Sequence, residues 1–405
     1  MVVSGPLAGS LVVDLTRYGP GPYCSMLLGD LGCEVVVVDD YRAPAAAHAR
    51  TKAMIGPGAP LGSQGSWMRR NARRIALDLK NPGGREVLDR LLDRADVLLE
   101  GFRPGVAPRL GIDVASLRSA HRRLVICSIT GFGQDGPYRD RAGHDLNYLA
   151  MGGLLDGNRG HDGEPVLPPT VLADLAAGGM QAAIGVLAAL LARERSGEGQ
   201  SIDVSLHEGV VALMAPLLLR LLGDDSRSWT LLRGEAPWYR SYATADARHL
   251  AIAAVEPWFY AAVCSVLGHP EWLAKQFDTA SWPAMGHVMG AQLATRTAAE
   301  WMALFGERDS CVCVVPTMDE LLADQHLRAR GTFVEVEGDG SRAPHVRALP
   351  RFSDTPADIR RGQMPWNFDC GSLLDELGFG PEARERLYSE GGVARPATAP
   401  AASSP

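Results

Sequence analysis

Leu11-Val12-Val13-Asp14-Leu15, Gly19-Pro20-Gly21-Pro22 and Glu34-Val35-Val36-Val37-Val38-Asp39-Asp40 are the stretches whose reading decides the fold. The first is a short β-branched run. The second is a Gly/Pro turn that opens an apolar-periodic segment reaching Leu31, and the third is a strand closed by two acids. Together they predict a β-turn-α-β unit. A second unit runs from a helical segment, Gly84 to Arg94, into a strand from Asp96 to Leu99, and a third holds a strand from Leu124 to Thr130. Strands alternating with helices imply a parallel sheet with helices on both faces.

Downstream, the pattern predicts a helix over Asp174 to Arg195, a turn at 196–200, a strand from Ser201 to Ser205 and a helix to about Leu222. The segment from Tyr239 to Phe333, with strands at His249 to Ala254 and Cys311 to Val315 among Trp-containing helices, suits a smaller α+β domain. These readings give a large α/β domain over 1–225, completed by 340–393, and a small domain over 235–335. Residues 43–65 read as a loop. Asp369 to Gly391 has a helix-like amphipathic pattern, and the Ala/Pro/Ser-only tail at 394–405 reads as disordered.

The 405 residues leave room for two or three cores, and 46% apolar with 21% charged residues is a globular composition. With 40 basic against 47 acidic side chains the net charge is −7, which gives no overall field that would gather nucleic acid. Seven scattered cysteines and the lack of a cationic, apolar leader predict a cytoplasmic chain with reduced thiols. Cys311 and Cys313 lack a second pair at zinc spacing, so they read as buried strand thiols on one face, and no metal is expected. The longest apolar run, about Met180 to Ala192, reads as too short to span a bilayer.

Gly131-Phe132-Gly133-Gln134-Asp135-Gly136 follows a strand and matches the dinucleotide pattern, but Pro137 and the polar residues after it do not open a helix able to hold a pyrophosphate. Seven of the ten histidines lie in polar or loop-like surroundings and carry no signal. His144 differs, since Gly143-His144-Asp145-Leu146-Asn147-Tyr148 stands at the start of an apolar helix, where Asp145 reads most simply as the cap. Asp174 heads another apolar helix and Glu256 precedes Pro257 at a helix start, so each could be a cap and nothing more. One His and two carboxylates at strand-to-helix junctions are also the parts needed for proton transfer α to a carbonyl.

At these residues the chain resembles the family III CoA transferases, the CaiB/BaiF-like superfamily, over about residues 5 to 393. The resemblance rests on Gly5 to Gly9, the Gly19 to Pro22 turn, Leu28 to Gly32, Leu77 to Lys80, Ala95 to Val106, Gly131 to Pro137, Gly197 to Val204 and Leu374 to Gly392. Gly143 to Tyr148, Asp174 and Val255 to Tyr260 are similar to the α-methylacyl-CoA racemases within it. That resemblance implies a Rossmann-like parallel-sheet large domain with a smaller α+β domain, in an interlocked homodimer whose active site is shared between subunits. It implies an acyl-CoA thioester as substrate, with no separate cofactor and no nucleic-acid or membrane partner. His144 and Asp174 would face the α-carbon from opposite sides, Glu256 would support His144, and the Asp145 N–H would stabilise the enolate. Arg42, Leu77, Lys80, Gly101, Arg103, Arg109, Gly143, Asn147 and Tyr148 would line the CoA and substrate site. The racemases carry an arginine directly after the second strand's terminal acid, whereas this chain has Asp39-Asp40-Tyr41-Arg42. The implied reaction is racemisation at the α-carbon of 2-methylacyl-CoA. The alternatives are CoA transfer between carboxylic acids through an aspartyl anhydride on Asp174, and a non-catalytic CoA-thioester-binding protein.

Overall fold

β1 (Leu11–Asp14) and β2 (Glu34–Asp40) pair in parallel, Leu11 opposite Glu34, with α1 (Pro20–Asp30) crossing between them. The computed structural model describes residues 4–42, 66–160, 163–215, 233–338 and 341–396. The predicted 43–65 loop, the end of the helix read to Leu222, His48 and His161 lie outside them. β3 (Ala72–Leu77), β4 (Val97–Glu100), β5 (Val125–Thr130) and β6 (Ser201–Ser205) complete a six-stranded, all-parallel sheet in the order β3-β2-β1-β4-β5-β6. The order reverses direction between β1 and β4, which leaves a crevice at the carboxyl ends of the strands.

Local chemistry places the helices. Pro20 pre-sets the first turn of α1, and Asn81 caps α2 (Pro82–Leu92) by accepting a 2.8 Å bond from the Gly83 N–H. The short α3 (Val106–Arg109) and α4 (Val114–Ala120) link β4 to β5. Leu88 and Leu91 of α2 pack with Leu98 and Ile126 of the sheet and with Leu373 and Leu374 from the C-terminal segment, all fully or almost fully buried. Each such side chain contributes about 1.5–3 kcal/mol on leaving water.

Beyond β5 come α5 (Asp145–Met151), α6 (Leu154–Gly157), α7 (Ala173–Ser196) and α8 (Leu206–Leu213). The first turns of α7, Ala173–Met180, are π-wound. α7 is 24 residues long, so the expectation of a short apolar run is corrected: by length and composition this helix is able to cross a bilayer. A core helix passes the same test, and in this chain Ala182, Val186 and Ala189 are buried, with α7 lying on α1, β5 and β6.

The chain divides into two compact units, 1–154 with 167–213 and 331–405, and 155–166 with 214–330. Residues 155–166 thus belong to the second unit, not to the large domain as the sequence reading had them. In that second unit β7 (Tyr239–Ala243), β8 (His249–Ala253) and β9 (Val312–Val314) form an antiparallel sheet, and α9 (Pro257–Leu267), α10 (Trp282–Leu293) and α11 (Ala298–Phe305) build a core around Trp238, Tyr260 and Trp301. α12 (Met318–Ala323) and α13 (Gln325–Ala329) follow.

Several expectations are corrected. Cys311 and Cys313 are exposed, and Cys311 precedes β9 with φ 50°, so the two thiols do not share one strand face. His269 is no free surface histidine: it stacks on Trp272 at 3.9 Å and bonds to Glu271 and Gln292. The sequence reading lacked β3 and the hairpin β10 (Phe333–Gly338) and β11 (Ser341–Val346). α14 (Cys370–Glu376) and α15 (Pro381–Ser389) occupy the amphipathic C-terminal segment, split by Gly378. The start of the tail read as disordered is tied down: the Ala394 N–H donates to Ala76 O at 3.0 Å, and Asn367 Nδ2 donates to Ala394 O.

Candidate active site

A buried clamp sets the turn after β1. Asp14 is fully buried, and its Oδ1 accepts from the Thr16 N–H at 2.7 Å and the Thr16 hydroxyl at 2.5 Å. Arg69 donates to Asp14 Oδ2 at 2.7 Å and to Thr16 O at 2.8 Å. The chain then turns through Gly19 with φ 53° and ψ −112°, a conformation that needs glycine. A Cβ at Gly19 would overlap Asp174 Oδ2, so the turn packs its bare backbone against that carboxylate.

Asp174 sits inside the π-wound turns of α7, not at its cap as the simplest sequence reading had it. π turns recur at functional sites because they re-aim single side chains. The small residues after it let α1 approach: a Cβ at Gly178 would lie 2.7 Å from Pro20 Cβ, and one at Gly179 would lie 2.8 Å from Pro20 O. Burial pushes the Asp174 carboxyl up to about 6, the neighbouring Asp145 carboxylate adds to the rise, and His144 opposes it. Asp145 Oδ1 accepts the Asp174 N–H at 2.9 Å, and burial also raises the Asp145 carboxyl.

His144, not Asp145, is the N-cap residue of α5, which corrects the expected cap. Its N–H donates to Asn147 Oδ1 at 3.0 Å and its carbonyl accepts the Asn147 N–H at 2.8 Å, so Asn147 fixes the backbone while the imidazole stays exposed. Tyr148 anchors the same turn by donating its hydroxyl to Gly143 O at 2.8 Å, with its ring 5.2 Å from Phe132 in an edge-on contact. Burial raises the Tyr148 hydroxyl, Asp174 raises it further and Arg103 lowers it. Six of the predicted residues, Gly143, His144, Asp145, Asn147, Tyr148 and Asp174, thus converge on one face of the first unit. The Gly131–Gly136 loop that follows β5 opens no helix before Asp145, in keeping with the rejection of a dinucleotide motif.

A second group forms a cleft at the ends of β1, β2 and β3. Its apolar walls are Leu15, Val38, Leu77, Leu79, Phe102 and Leu110; Arg17, Arg42 and Lys80 bring positive charge, and Asp39, Asp40 and Asp78 negative. The space measures about 580 Å³ including solvent at its mouth. Arg42 donates its N–H to Asp40 Oδ1 at 3.0 Å, while its exposed guanidinium lies 3.7 Å from Asp78. Gly101 borders Thr16 beside this cleft, and an added Cβ would lie 3.6 Å from Thr16 Cγ2. Arg109 is exposed at the end of α3 and does not line the cleft, though its neighbour Leu110 does.

Glu256 lies in the second unit, at the N-cap of α9, without a side-chain capping bond among the described residues; burial raises the Cys311 thiol, Asp309 adds to the rise, and Glu256 adds least. Sequence reasoning missed Arg17 and the contact of Gly19 with Asp174. A lone cation in a turn reads as solvated, and the contact joins residues 155 positions apart.

The family model for CoA-transferase family III matches residues 7–369. The chain is 38% identical to mouse alpha-methylacyl-CoA racemase over 391 residues, 95% of this chain and 96% of that protein. It is 31% identical to succinyl-CoA–D-citramalate CoA-transferase of Chloroflexus aurantiacus over 381 residues, 87% and 89% of the two chains. A crystal structure of a CaiB/BaiF family protein from Brucella suis superimposes with a TM-score of 0.77 at 26% identity, covering 92% of this chain and all of that one. A parallel sheet with an acid pair at its mouth, a family match over most of the length and full-length relatives agree: the chain belongs to CoA-transferase family III.

Proposed function

We propose that the protein racemises the α-carbon of 2-methylacyl-CoA thioesters by two-base proton transfer. The observation that carries this reading is Asp174, a carboxyl pushed up to about 6, close enough to His144 to feel its charge, so that Asp174 can take or give a proton near neutral pH. A thioester acidifies its α-hydrogen. One member of the pair takes that proton, and the C–H electrons move onto the carbonyl oxygen to give an enolate. The other member then returns its own proton to the opposite face, and which residue starts depends on the enantiomer bound. The Asp145 N–H, at the first position of α5 and without an acceptor among the described residues, is the donor assigned to the enolate oxygen. Glu256 is assigned to support His144, and the cleft at β1–β3 to hold the nucleotide end of CoA, as crevices at the carboxyl ends of parallel strands do.

CoA transfer is the second reading, favoured by the Chloroflexus aurantiacus relative. There the Asp174 carboxylate attacks the thioester carbonyl and expels CoA thiolate, leaving an acyl-aspartyl anhydride; the thiolate returns to the aspartyl carbonyl and releases the first acid, and a second carboxylate repeats the exchange to leave as its own CoA thioester with Asp174 restored. Incubating 2-methylacyl-CoA in heavy water without any added acid separates the two. Racemisation predicts deuterium at the α-carbon; a transferase or a non-catalytic CoA-binding protein leaves that carbon unlabelled.

A further inference from the structure

We propose that Arg17 binds the phosphates at the nucleotide end of CoA, an inference that rests on the acyl-CoA reading above and adds a residue to it. The ion pairs around the cleft differ in kind. Arg74 grips Asp39 with two bonds of 2.9 Å, both side chains only 14% exposed, and the Asp14 to Arg69 pair is buried altogether. Arg17 makes a single 2.9 Å bond from Nη2 to Asp40 Oδ2, with side chains 46% and 39% exposed. A pair so exposed adds little to stability. What it does is hold the guanidinium at the cleft with its other N–H donors unbonded among the described residues, a fork suited to phosphate oxygens.

Asp40 is the brace that makes this possible. Its Oδ1 is taken by the Arg42 N–H and its Oδ2 by Arg17, so the turn after β2 and the turn after β1 share one carboxylate. The Arg42 side chain meanwhile leans toward Asp78 on the β3 side. The position directly after Asp39 therefore supplies a carboxylate, and the cation it holds comes from β1's turn. Arg17 stands two residues before Gly19, whose backbone meets Asp174, so one three-residue turn touches both the cleft and the reacting end of the site. The apolar walls beside Arg17 suit a base, and the cationic rim suits its phosphates.

The test is calorimetric titration of the full-length protein with CoA and with pantetheine, which lacks the nucleotide. Arg17→Ala is expected to raise the Kd for CoA about tenfold, the lower range for a charge-assisted bond at a part-exposed site, and to leave the Kd for pantetheine unchanged. Arg17→Lys is expected to recover part of the loss, as a point charge without the fork. An unchanged Kd for CoA in Arg17→Ala overturns the proposal, and so does an equal loss for pantetheine, which would mean a distorted turn. If the unaltered protein binds no CoA, the acyl-CoA reading itself is what has failed, and this inference with it.

Discussion

Gly19 and Asp174 show how closely the carboxylate proposed to react is fitted. A methyl at Gly19 meets both an unfavourable backbone conformation and Asp174 Oδ2, so Gly19→Ala is expected to displace the carboxylate and lower kcat/KM by about 100-fold or more, the scale of a misplaced catalytic group. Turnover of a 2-methylacyl-CoA by the purified variant checks this. Asp174 also leaves a mark on stability. A carboxyl at about 6 in the folded chain against an ordinary 3.8 binds its proton more tightly folded than unfolded. Its contribution to stability is full below 3.8 and is lost as pH rises through about 6, so the ionised group destabilises the fold near neutrality. At roughly 1.4 kcal/mol per pKa unit this amounts to at most about 3 kcal/mol, less whatever solvent screens. Asp174→Asn should therefore raise Tm near pH 7 and lose that advantage by about pH 4; equal Tm values at both would contradict the assigned environment. In the direction that uses Asp174 as base, kcat/KM should fall as pH drops through about 6.

At the scale of elements, the clamp of Asp14, Thr16 and Arg69 ties the segment before β3 to the turn between β1 and α1. Arg69→Ala leaves the Asp14 charge buried without its partner and is expected to cost about 3–5 kcal/mol, measurable as a lowered urea midpoint. The β1-α1-β2 unit was legible because Val runs and a Gly-Pro turn state their period openly. β3 was not: Ala72-Arg73-Arg74 looks polar, yet Arg73 is neutralised by Glu34 and Glu376 and Arg74 by Asp39, contacts reaching as far as 303 residues along the chain. The β10–β11 hairpin hid for a similar reason, since Glu335, Glu337 and Arg342 alternate with few apolar residues. The site was half legible. His144 and Asp174 stood out through a resemblance, while the cap assigned to Asp145 fell one residue late, on the first position of α5 after His144, and the cap assigned to Asp174 failed because pattern alone cannot tell a cap from a residue inside a π turn.

For the whole molecule, the two units divide the proposed machinery: His144 and Asp174 belong to the first and Glu256 to the second. If the assembly is a homodimer with shared sites, co-expressing Asp174→Ala with Glu256→Gln yields a heterodimer in which one site is free of mutations. Its activity should approach half that of the unaltered dimer. A heterodimer no more active than either parent, or a monomer in sedimentation, would sink the shared-site arrangement while leaving the chemistry untouched. That chemistry is tested most directly by following inversion and α-deuterium uptake separately, for each enantiomer of a 2-methylacyl-CoA in heavy water, with His144→Ala and Asp174→Ala. The two-base account predicts that the unaltered enzyme inverts and labels both enantiomers, that each variant loses inversion, and that any remaining label enters opposite enantiomers in the two variants. Inversion persisting in either variant, or an unaltered enzyme that labels neither enantiomer, would contradict it.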